Sequence, residues 1–548
     1  MFEEFHVRIG ELSVRKPFTI PSGIVTTVPT VIAGLARDIH ALGFLTTKTI
    51  SLAPRPGYRE PIIHEYHPGC FVNAVGLANP GAHSFLESIR PLKPLHENKP
   101  LVVSIMGETA EEFLGCAEVL EPIAEAFELN LSCPHVKGAG QSVGSDPEMI
   151  SLIIDILKKK IRKPIIPKLS PNIPNFHDIA CLCEQLGADG LSLINTVGPG
   201  TVVDSQGKPV LTNVNGGLSG SAIRPLGLRL VREAASLVKI PIIACGGISR
   251  PEDVTAYQIA GASLFGVGSA LAFIDTKSLP AHFDWLSTGI DKKEARESHF
   301  TPPPIHVRTD YSPALVTSNQ TIAENMFELK LNRDVSCQVG QFFFLRIPGV
   351  GEKPFSPVDT NPLSFLVRAV GPFTKALQEL RNMDEVQFRG PYGKGFSSPE
   401  RNTPVVMIGG GTGAGPIIMA AKKWSSLKPK VFLGFSSSLD IDERARWNID
   451  AINAVVAIDP PGNPGEVIRS LSSQMKQNTA DFFNATVFLC GPMPMMVTAA
   501  DLMKRHTSPT NIFMAREDIM RCGIGVCGSC GTPSGLRSCI DGPVIAME

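Results

Sequence analysis

From about residue 17 to 275 the chain repeats one pattern, in which a short β-rich apolar run ending in Gly, Asn or Lys is followed by a longer stretch with helical spacing. The runs read FLTTKT, LVVSIM, AFELNLS, PIIPKLS, GLSLINT, PIIACGG and LFGVGS. This alternation predicts an α/β fold, a (β/α)8 TIM barrel. Ahead of it, MFEEFHVRIGELSV runs straight into a strand-like alternation. After His299 the segment FTPPPIHVRTDYSPA is Pro-rich and loses periodicity, as a linker does. From about 314 to 395 strands and turns predict a small antiparallel β-barrel, and from 404 to 500 the strand, Gly loop and helix pattern returns. The expected domains are 1–299, a linker at 300–313, then 314–400, 401–510 and a cysteine-bearing segment at 511–548. No internal repeat or low-complexity tract interrupts them.

The stretches Pro404 to Ala421 and Ala485 to Met503 are apolar enough to resemble membrane spans, but Gly and Pro clusters cut both, so buried strand, turn and helix is the reading. At 548 residues the chain exceeds what one core organises, so two or three domains are expected. Lys plus Arg number 51 against 52 for Asp plus Glu, without long runs of one sign, which argues against nucleic acid or an anionic membrane as partner. Acidic residues stand where a signal peptide needs basic ones. Twelve cysteines, four of them close together at the C-terminus, point to metal ligation in a reducing compartment, hence a cytoplasmic protein.

The terminal group is RCGIGVCGSCG, spaced C-x4-C-x2-C, with Cys539 after eight more residues. Tight spacing with small residues between lets a loop wrap two irons while backbone N–H groups face the sulfurs, so Cys522, Cys527, Cys530 and Cys539 are the expected ligands of a [2Fe–2S] cluster. The alternative is structural zinc, which more often uses paired C-x2-C knuckles. Cys181 and Cys183, two apart on a predicted helix, point in different directions and call for no chemistry.

Gly246 and Gly247 follow one predicted barrel strand, and Gly268 and Ser269 the next. Paired backbone amides after the last two strands form the usual phosphate cradle of this fold, which predicts a flavin phosphate site. Alongside them, in order, stand PSG (21–23), TKT (47–49), NAVGLANPG (73–81), NLSCP (130–134), KLSPN (168–172), INTV (194–197) and GGLSG (216–220). Together these closely resemble class 1 dihydroorotate dehydrogenase, specifically the NAD-linked 1B type, over about residues 1 to 275. The resemblance implies FMN held by Ser22, Lys48, Thr49, Asn130, Lys168, Ile194, Gly220 and the phosphate residues. It implies substrate contacts from Lys48, Asn73, Ala74, Val75, Gly76, Leu77, Asn130, Asn195 and Thr196, with Cys133 as the catalytic base.

Those residue types suit the reaction. Oxidising a 5,6-dihydropyrimidine removes a proton from C5 and a hydride from C6, so a base and a flavin N5 must flank the ring. The amides of Asn73, Asn130 and Asn195 can meet the alternating C=O and N–H edge of a pyrimidine, and Lys168 can stabilise charge on a reduced flavin. Position 135 is His, where dihydroorotate dehydrogenases usually carry Asn; NLSCPH is reminiscent of dihydropyrimidine dehydrogenase. Against that, NAVGLANPG matches the dihydroorotate type, and Val75 stands where the dihydropyrimidine enzymes tend to have an acidic residue.

Residues 314 to 548 resemble the electron-transfer subunit that partners 1B dihydroorotate dehydrogenase, through KPFS (353–356), LVRAVGPFT (366–374), GPYGKGF (390–396), GGGTGAGP (409–416), CGPMPM (490–495) and the cysteine cluster. The resemblance implies FAD bound by Lys353, Pro354, Phe355, Ser356, Leu366, Val367, Arg368, Phe373 and Thr374. Lys353 replaces a usual Arg and so lacks the bidentate fork, and Phe373 replaces a usual Gly. The run VVMIGGGTGAGP puts a Gly-rich turn between strand and helix, where N-terminal amides attract a pyrophosphate. Gly409, Gly410, Gly411, Thr412 and Gly413, with Cys490 and Gly491, are read as the nicotinamide-nucleotide half. GFSSSLD (434–440) has no arginine directly after the strand to hold a 2′-phosphate, which leans towards NAD, although Arg444 and Arg446 lie close by.

The reading is a fusion of catalytic and electron-transfer subunits: dihydroorotate is oxidised at FMN, and electrons pass through [2Fe–2S] to FAD and NAD+ in pyrimidine biosynthesis. Two flavins on separate domains cannot exchange hydride directly, so the cluster is the one-electron relay. The rivals are an enzyme reducing uracil or thymine, for which His135 is the cue, and a non-catalytic redox sensor, against which the full Asn set argues. The expected partners are a small dihydropyrimidine and NAD, with neither nucleic acid nor membrane, in a homo-oligomer formed through the barrel.

Overall fold

A computed structural model describes residues 5–132, 143–290, 300, 309–323, 325–436, 451–460 and 462–547. The chain divides into two compact units: residues 1–305 with 524–537, and residues 306–523 with 538–548. Among the described residues no helix is long and apolar enough to cross a membrane.

In the first unit eight parallel strands run in the order Phe18–Thr19, Leu264–Gly266, Ile242–Cys245, Leu191–Leu193, Ile165–Leu169, Ala126–Asn130, Leu101–Ile105 and Leu45–Thr46. Seven of these arise from the seven apolar runs of the sequence. The eighth, at Phe18–Thr19, is only two residues long and gives no periodic signal. A parallel bridge between Phe18 and Leu42 closes the ring, so the fold is a TIM barrel. The N-terminal alternation forms a hairpin, Val7–Ile9 with Leu12–Val14. Its Ile9, Leu12 and Val14 pack with Phe44, Val102, Ala126, Ile166, Ile243 and Leu264, filling one end of the barrel interior.

The helices between the strands carry their own start signals. Asp146 accepts from the amides of Glu148 and Met149 ahead of helix Pro147–Lys160, which opens on Pro, whose missing N–H has no helical partner to lose there, and ends in three lysines, favourable at the negative end of the helix dipole. Cys181 and Cys183 lie on helix Phe176–Gln185, the second buried and the first partly exposed. A four-stranded antiparallel sheet, ordered Val197–Thr201, Asn215–Gly220, Cys70–Asn73 and Ile63–His67, is built from two of the βα loops.

The second unit holds two sheets. Seven antiparallel strands between Ser312 and Tyr392 form the small barrel-like layer, around a core that includes Phe327, Leu329, Phe343, Leu345 and Phe365. The other sheet has the order Val455–Ile458, Lys430–Phe435, Val405–Gly410, Thr486–Cys490 and Ile512–Ala515, all parallel, with Val544–Ala546 antiparallel at its edge. The two apolar stretches of the sequence resolve as strand Val405–Gly410 with helix Ala414–Lys423, and strand Thr486–Cys490 with helix Met493–Met503. Most of the Pro-rich linker, residues 301–308, lies outside the described residues.

Candidate active site

In the first unit a cavity of about 370 Å³ opens at the carboxyl ends of the barrel strands. Ser22, Lys48, Thr49, Asn130, Lys168, Ile194, Gly220, Gly246, Gly247, Gly268 and Ser269 all line it, as do Asn73, Ala74, Val75, Gly76, Leu77, Asn195 and Thr196. Residues as far apart in the chain as Ser22 and Ser269 meet here because the loops after different barrel strands converge at one end. Cys133 and His135 lie outside the described residues.

A chain of short polar contacts orders the floor of this cavity. Ser22 Oγ and Thr49 Oγ1 are 2.8 Å apart, Thr49 Oγ1 and Ser104 Oγ 3.0 Å, and Ser104 Oγ donates to Glu128 Oε1 at 3.1 Å. Asn130 Nδ2 donates to Thr49 Oγ1 at 3.1 Å, and Asn195 Nδ2 to Ser132 Oγ at 2.8 Å and Asn130 Oδ1 at 3.3 Å. Asn195 Oδ1 in turn accepts from the Thr196 amide at 2.8 Å. The side-chain amides are therefore held in fixed orientations before any ligand enters. Lys168, 5 % exposed, has Glu128 Oε1 as its nearest described partner at 3.6 Å, beyond hydrogen-bonding distance. That leaves a buried ammonium with donors available to an anionic or electron-rich group in the cavity, which fits a flavin edge.

The phosphate end fits equally. Gly246 and Gly247 have φ of +126° and +73°, and a Cβ on Gly247 would stand 2.8 Å from Gly220 O, so only glycine lets these amides turn inward. A Cβ on Gly268 would meet Ile24 Cγ1 at 3.6 Å and Pro21 Cγ at 3.7 Å, ordinary contact distances, so steric crowding does not require glycine there. Tyr257 Oη donates to Gly246 O at 2.6 Å, and burial holds its phenol well above the ordinary range, hence protonated. Cys245 also lines the cavity; burial pushes its thiol up to about 11, making it a neutral wall and not a base. Sequence reasoning missed Tyr58, Ser132 and Cys245 as lining groups, although Ser132 lies inside the NLSCP motif.

Val526 and Cys527, from the cysteine-rich segment, complete the lining of the same cavity. All four C-terminal thiols are buried: Cys522 1 %, Cys527 8 %, Cys530 2 % and Cys539 1 % exposed. Between them Gly523, Gly525 and Gly528 have φ of +80°, +76° and +68°. Among the described residues no three His, Cys, Asp or Glu side chains converge as one metal ion requires, whereas a [2Fe–2S] cluster takes its thiolates two to each iron.

In the second unit a cavity of about 450 Å³ is lined by Lys353, Pro354, Phe355, Ser356, Leu366, Val367, Arg368 and Thr374, and also by Gly410, Gly411, Thr412, Gly413 and Cys490. Phe373, Gly409 and Gly491 are not among its lining residues. Phe373 is buried and stacks on Phe355, with ring centroids 6.4 Å apart and planes at 22°. Gly409 and Gly491 serve close packing: a Cβ would stand 2.9 Å from Ala414 Cα at the first and 2.8 Å from Gly410 O at the second. Arg368 Nη2 would be 3.1 Å from a Cβ on Gly411, so its guanidinium lies beside the Gly-rich turn, where a pyrophosphate would find both charge and amides.

Glu517 also borders this cavity, unforeseen from sequence; burial raises its carboxyl, with Arg368 opposing. Burial likewise raises the Cys490 thiol, so it stays neutral. Arg444, Arg446 and most of GFSSSLD lie outside the described residues.

A profile of the dihydroorotate dehydrogenase family matches residues 5–287, and one of the iron–sulfur cluster binding domain of dihydroorotate dehydrogenase B matches residues 517–548. Among curated proteins the chain is similar to the catalytic subunit of dihydroorotate dehydrogenase B (NAD(+)) from several organisms. Identity is 39 % over 265 residues for Pyrococcus abyssi, covering 48 % of this chain and 87 % of that protein. It is 37 % over 275 residues for Methanothermobacter thermautotrophicus (50 % and 89 %) and 41 % over 287 residues for Thermoplasma volcanium (52 % and 93 %).

Proposed function

The chain belongs to the dihydroorotate dehydrogenase family, and from that premise we propose that it oxidises dihydroorotate to orotate and passes the two electrons to NAD+, a step of pyrimidine biosynthesis. The observation that carries this reading is the barrel cavity in which Lys48, Asn73, Asn130, Asn195 and Thr196 meet the glycine cradle and Lys168. Its profile match at the C-terminus adds the iron–sulfur element that electron passage needs.

Bound FMN supplies a hydride acceptor, the [2Fe–2S] cluster one-electron passage, and FAD the return to hydride for NAD+. Dihydroorotate loses a proton from C5 and a hydride from C6, leaving the C5=C6 double bond. The proton goes to the Cys133 thiolate and from there to solvent. Asn73, Asn130 and Asn195 orient the ring, the amides of Asn130 and Asn195 pre-set by the contacts described above and that of Asn73 by donation to Gly217 O at 3.2 Å. Lys48 and the Val75–Leu77 backbone hold the substrate carboxylate. Lys168 offsets charge at the flavin edge, kept in place by Glu128. In the second unit Lys353, Arg368 and the barrel-sheet residues around them are assigned to FAD, and the Gly410–Gly413 turn with Cys490 to NAD. The cluster ligands are Cys522, Cys527, Cys530 and Cys539.

The thiol-rich cluster segment favours a cytoplasmic site of action, where cysteines stay reduced. A homo-oligomer through the barrel is our expectation for the assembly, to be read by light scattering. The test of function is anaerobic: dihydroorotate should bleach the flavin bands of the purified protein, and NAD+ should restore them. Bleaching by dihydrouracil without bleaching by dihydroorotate would overturn the substrate assignment.

A further inference from the structure

Residues 524–537 belong to the barrel unit, far in sequence from everything else in it. The Val25 amide donates to Val526 O at 2.8 Å, and the Phe273 amide to Ile524 O at 2.9 Å. Thr27 Oγ1 donates to Cys527 O at 2.7 Å, and Thr30 Oγ1 to Thr532 O at 2.6 Å. Three glycines allow this close seating. A Cβ on Gly528 would stand 2.3 Å from Val25 O, one on Gly531 2.7 Å from Val31 Cγ2, and one on Gly535 2.9 Å from Thr30 O.

One side chain ties the two ends of the segment together and to the barrel. Arg537 is fully buried. Its Nη1 donates to Gly525 O at 2.6 Å, its Nη2 to Ile274 O at 2.7 Å, and its Nε to Thr276 Oγ1 at 3.1 Å. A buried guanidinium is retained against a large desolvation cost, and here two of its donors fix loop backbone at Gly525 and Ile274 while a third holds the Thr276 hydroxyl. Ile274 and Thr276 lie on the stretch that leads away from the Gly268–Ser269 turn of the phosphate cradle, beyond the short helical turn Ser269–Leu271, and Gly525 directly precedes Val526 and Cys527, which wall the same cavity.

We propose that Arg537 is a positioning residue that clamps segment 524–537 as a wall of the flavin cavity, so that retention of FMN depends on a residue of the iron–sulfur segment. The proposal rests on the assignment of FMN to this cavity. Removing the guanidinium frees Gly525 O and Ile274 O at once, lets the wall open, and shortens the residence of the flavin.

The full-length protein would be compared as wild type, Arg537→Met, Arg537→Lys and the double variant Thr27→Val, Thr30→Val. Two quantities are read: the rate at which FMN, identified by chromatography, is released on dilution, and hydrogen exchange of peptides holding the Val25 and Phe273 amides. Arg537→Met should release FMN about tenfold faster, the factor matching the net worth of one charge-assisted hydrogen bond, and should deprotect both amides. Arg537→Lys should fall between, and FAD content should not change. The double variant should show a smaller loosening in the same direction, and it decides the matter if Arg537→Met does not fold. Release within twofold of wild type with both amides still protected overturns the clamp. Wild-type protein without FMN would instead refute the cofactor assignment, while exchange at the two amides would still test the clamp.

Discussion

His282 sits on helix Leu279–Ser287 of the barrel unit, just after the residues that Arg537 grips. Its ring is 2 % exposed, neither Nδ1 nor Nε2 has a hydrogen-bond partner among the described residues, and the rings of Phe300, Trp285 and Phe283 surround it at 5.0, 5.8 and 6.1 Å. Burial alone lowers its pKa from 6.5 to about 4. The unfolded chain therefore takes up a proton as pH falls below 6.5 while the folded chain refuses it until about 4. The stability that the neutral ring permits is complete above pH 6.5 and is lost progressively down to about 4. Each pH unit of that window removes up to about 1.4 kcal/mol, so the full loss approaches about 3 kcal/mol, of which about 2 kcal/mol is gone by pH 5. His282→Phe removes the titrating group and two unsatisfied nitrogens while keeping an aromatic ring among aromatic neighbours. It should be at least as stable as wild type at pH 7.5, and its advantage should grow by roughly 4 °C in melting temperature at pH 5. Thermal melts of both proteins at half-unit pH steps measure this. A gap that stays constant from pH 7.5 to 5 would refute the reasoning.

Three further outcomes follow from the sites. Cys133→Ala should abolish dihydroorotate oxidation while NADH-driven reduction of an artificial dye continues; equal loss of both activities would contradict the division of labour between the units. Lys168→Met should slow flavin reduction by dihydroorotate on the order of 100-fold, measured by stopped-flow, with Glu128→Gln showing a smaller effect; unchanged reduction would remove Lys168 from the flavin edge. In the second unit Arg389 pairs with fully buried Glu352 at 2.6 and 3.0 Å, receives the ring of Phe344 at 4.0 Å, and donates to Cys522 O at 3.1 Å. Arg389→Met should cost about 3–5 kcal/mol by leaving the Glu352 charge without its cation, read as a lower denaturant midpoint for FAD release, and a stability loss below about 0.5 kcal/mol would show the pair to be dispensable.

Much of the barrel cavity was legible because its polar residues sit where strands end, inside short motifs with strong local chemistry. Ser22, Thr49, Asn130 and Asn195 stand in such motifs, and the fold needed only to close the ring for their contacts to form. What stayed hidden depends on long-range packing. Strand Phe18–Thr19 is too short to show a period. Cys245 reads as one apolar residue among others until the barrel turns it to the cavity. Arg537, in SGLRSC, carries no local sign of burial; its partners Ile274 and Thr276 lie more than 260 positions away. Phe373, which its motif sets beside a ligand, is buried and stacks on Phe355, which itself lines the cavity, a contact that no local sequence pattern announces.

The Gly-rich turn at 410–413 shows how topology turns a weak motif into a specific one. A glycine triplet after a strand occurs in many ordinary turns, and its amides alone do not select a nucleotide. Here strand Val405–Gly410 is the central member of its sheet: Lys430–Phe435, next in sequence, pairs on one side, and Thr486–Cys490 on the other. The chain therefore winds in opposite directions from this strand, and a reversal of strand order places a crevice at its carboxyl end. Gly411–Gly413 and the start of helix Ala414–Lys423 stand at that crevice, with Cys490 ending the adjacent strand and Arg368 contributed by the antiparallel layer. A dinucleotide laid there meets helix amides at its pyrophosphate and a neutral, buried thiol at the next strand. The specificity comes from the reversal of strand order, which no window of sequence contains.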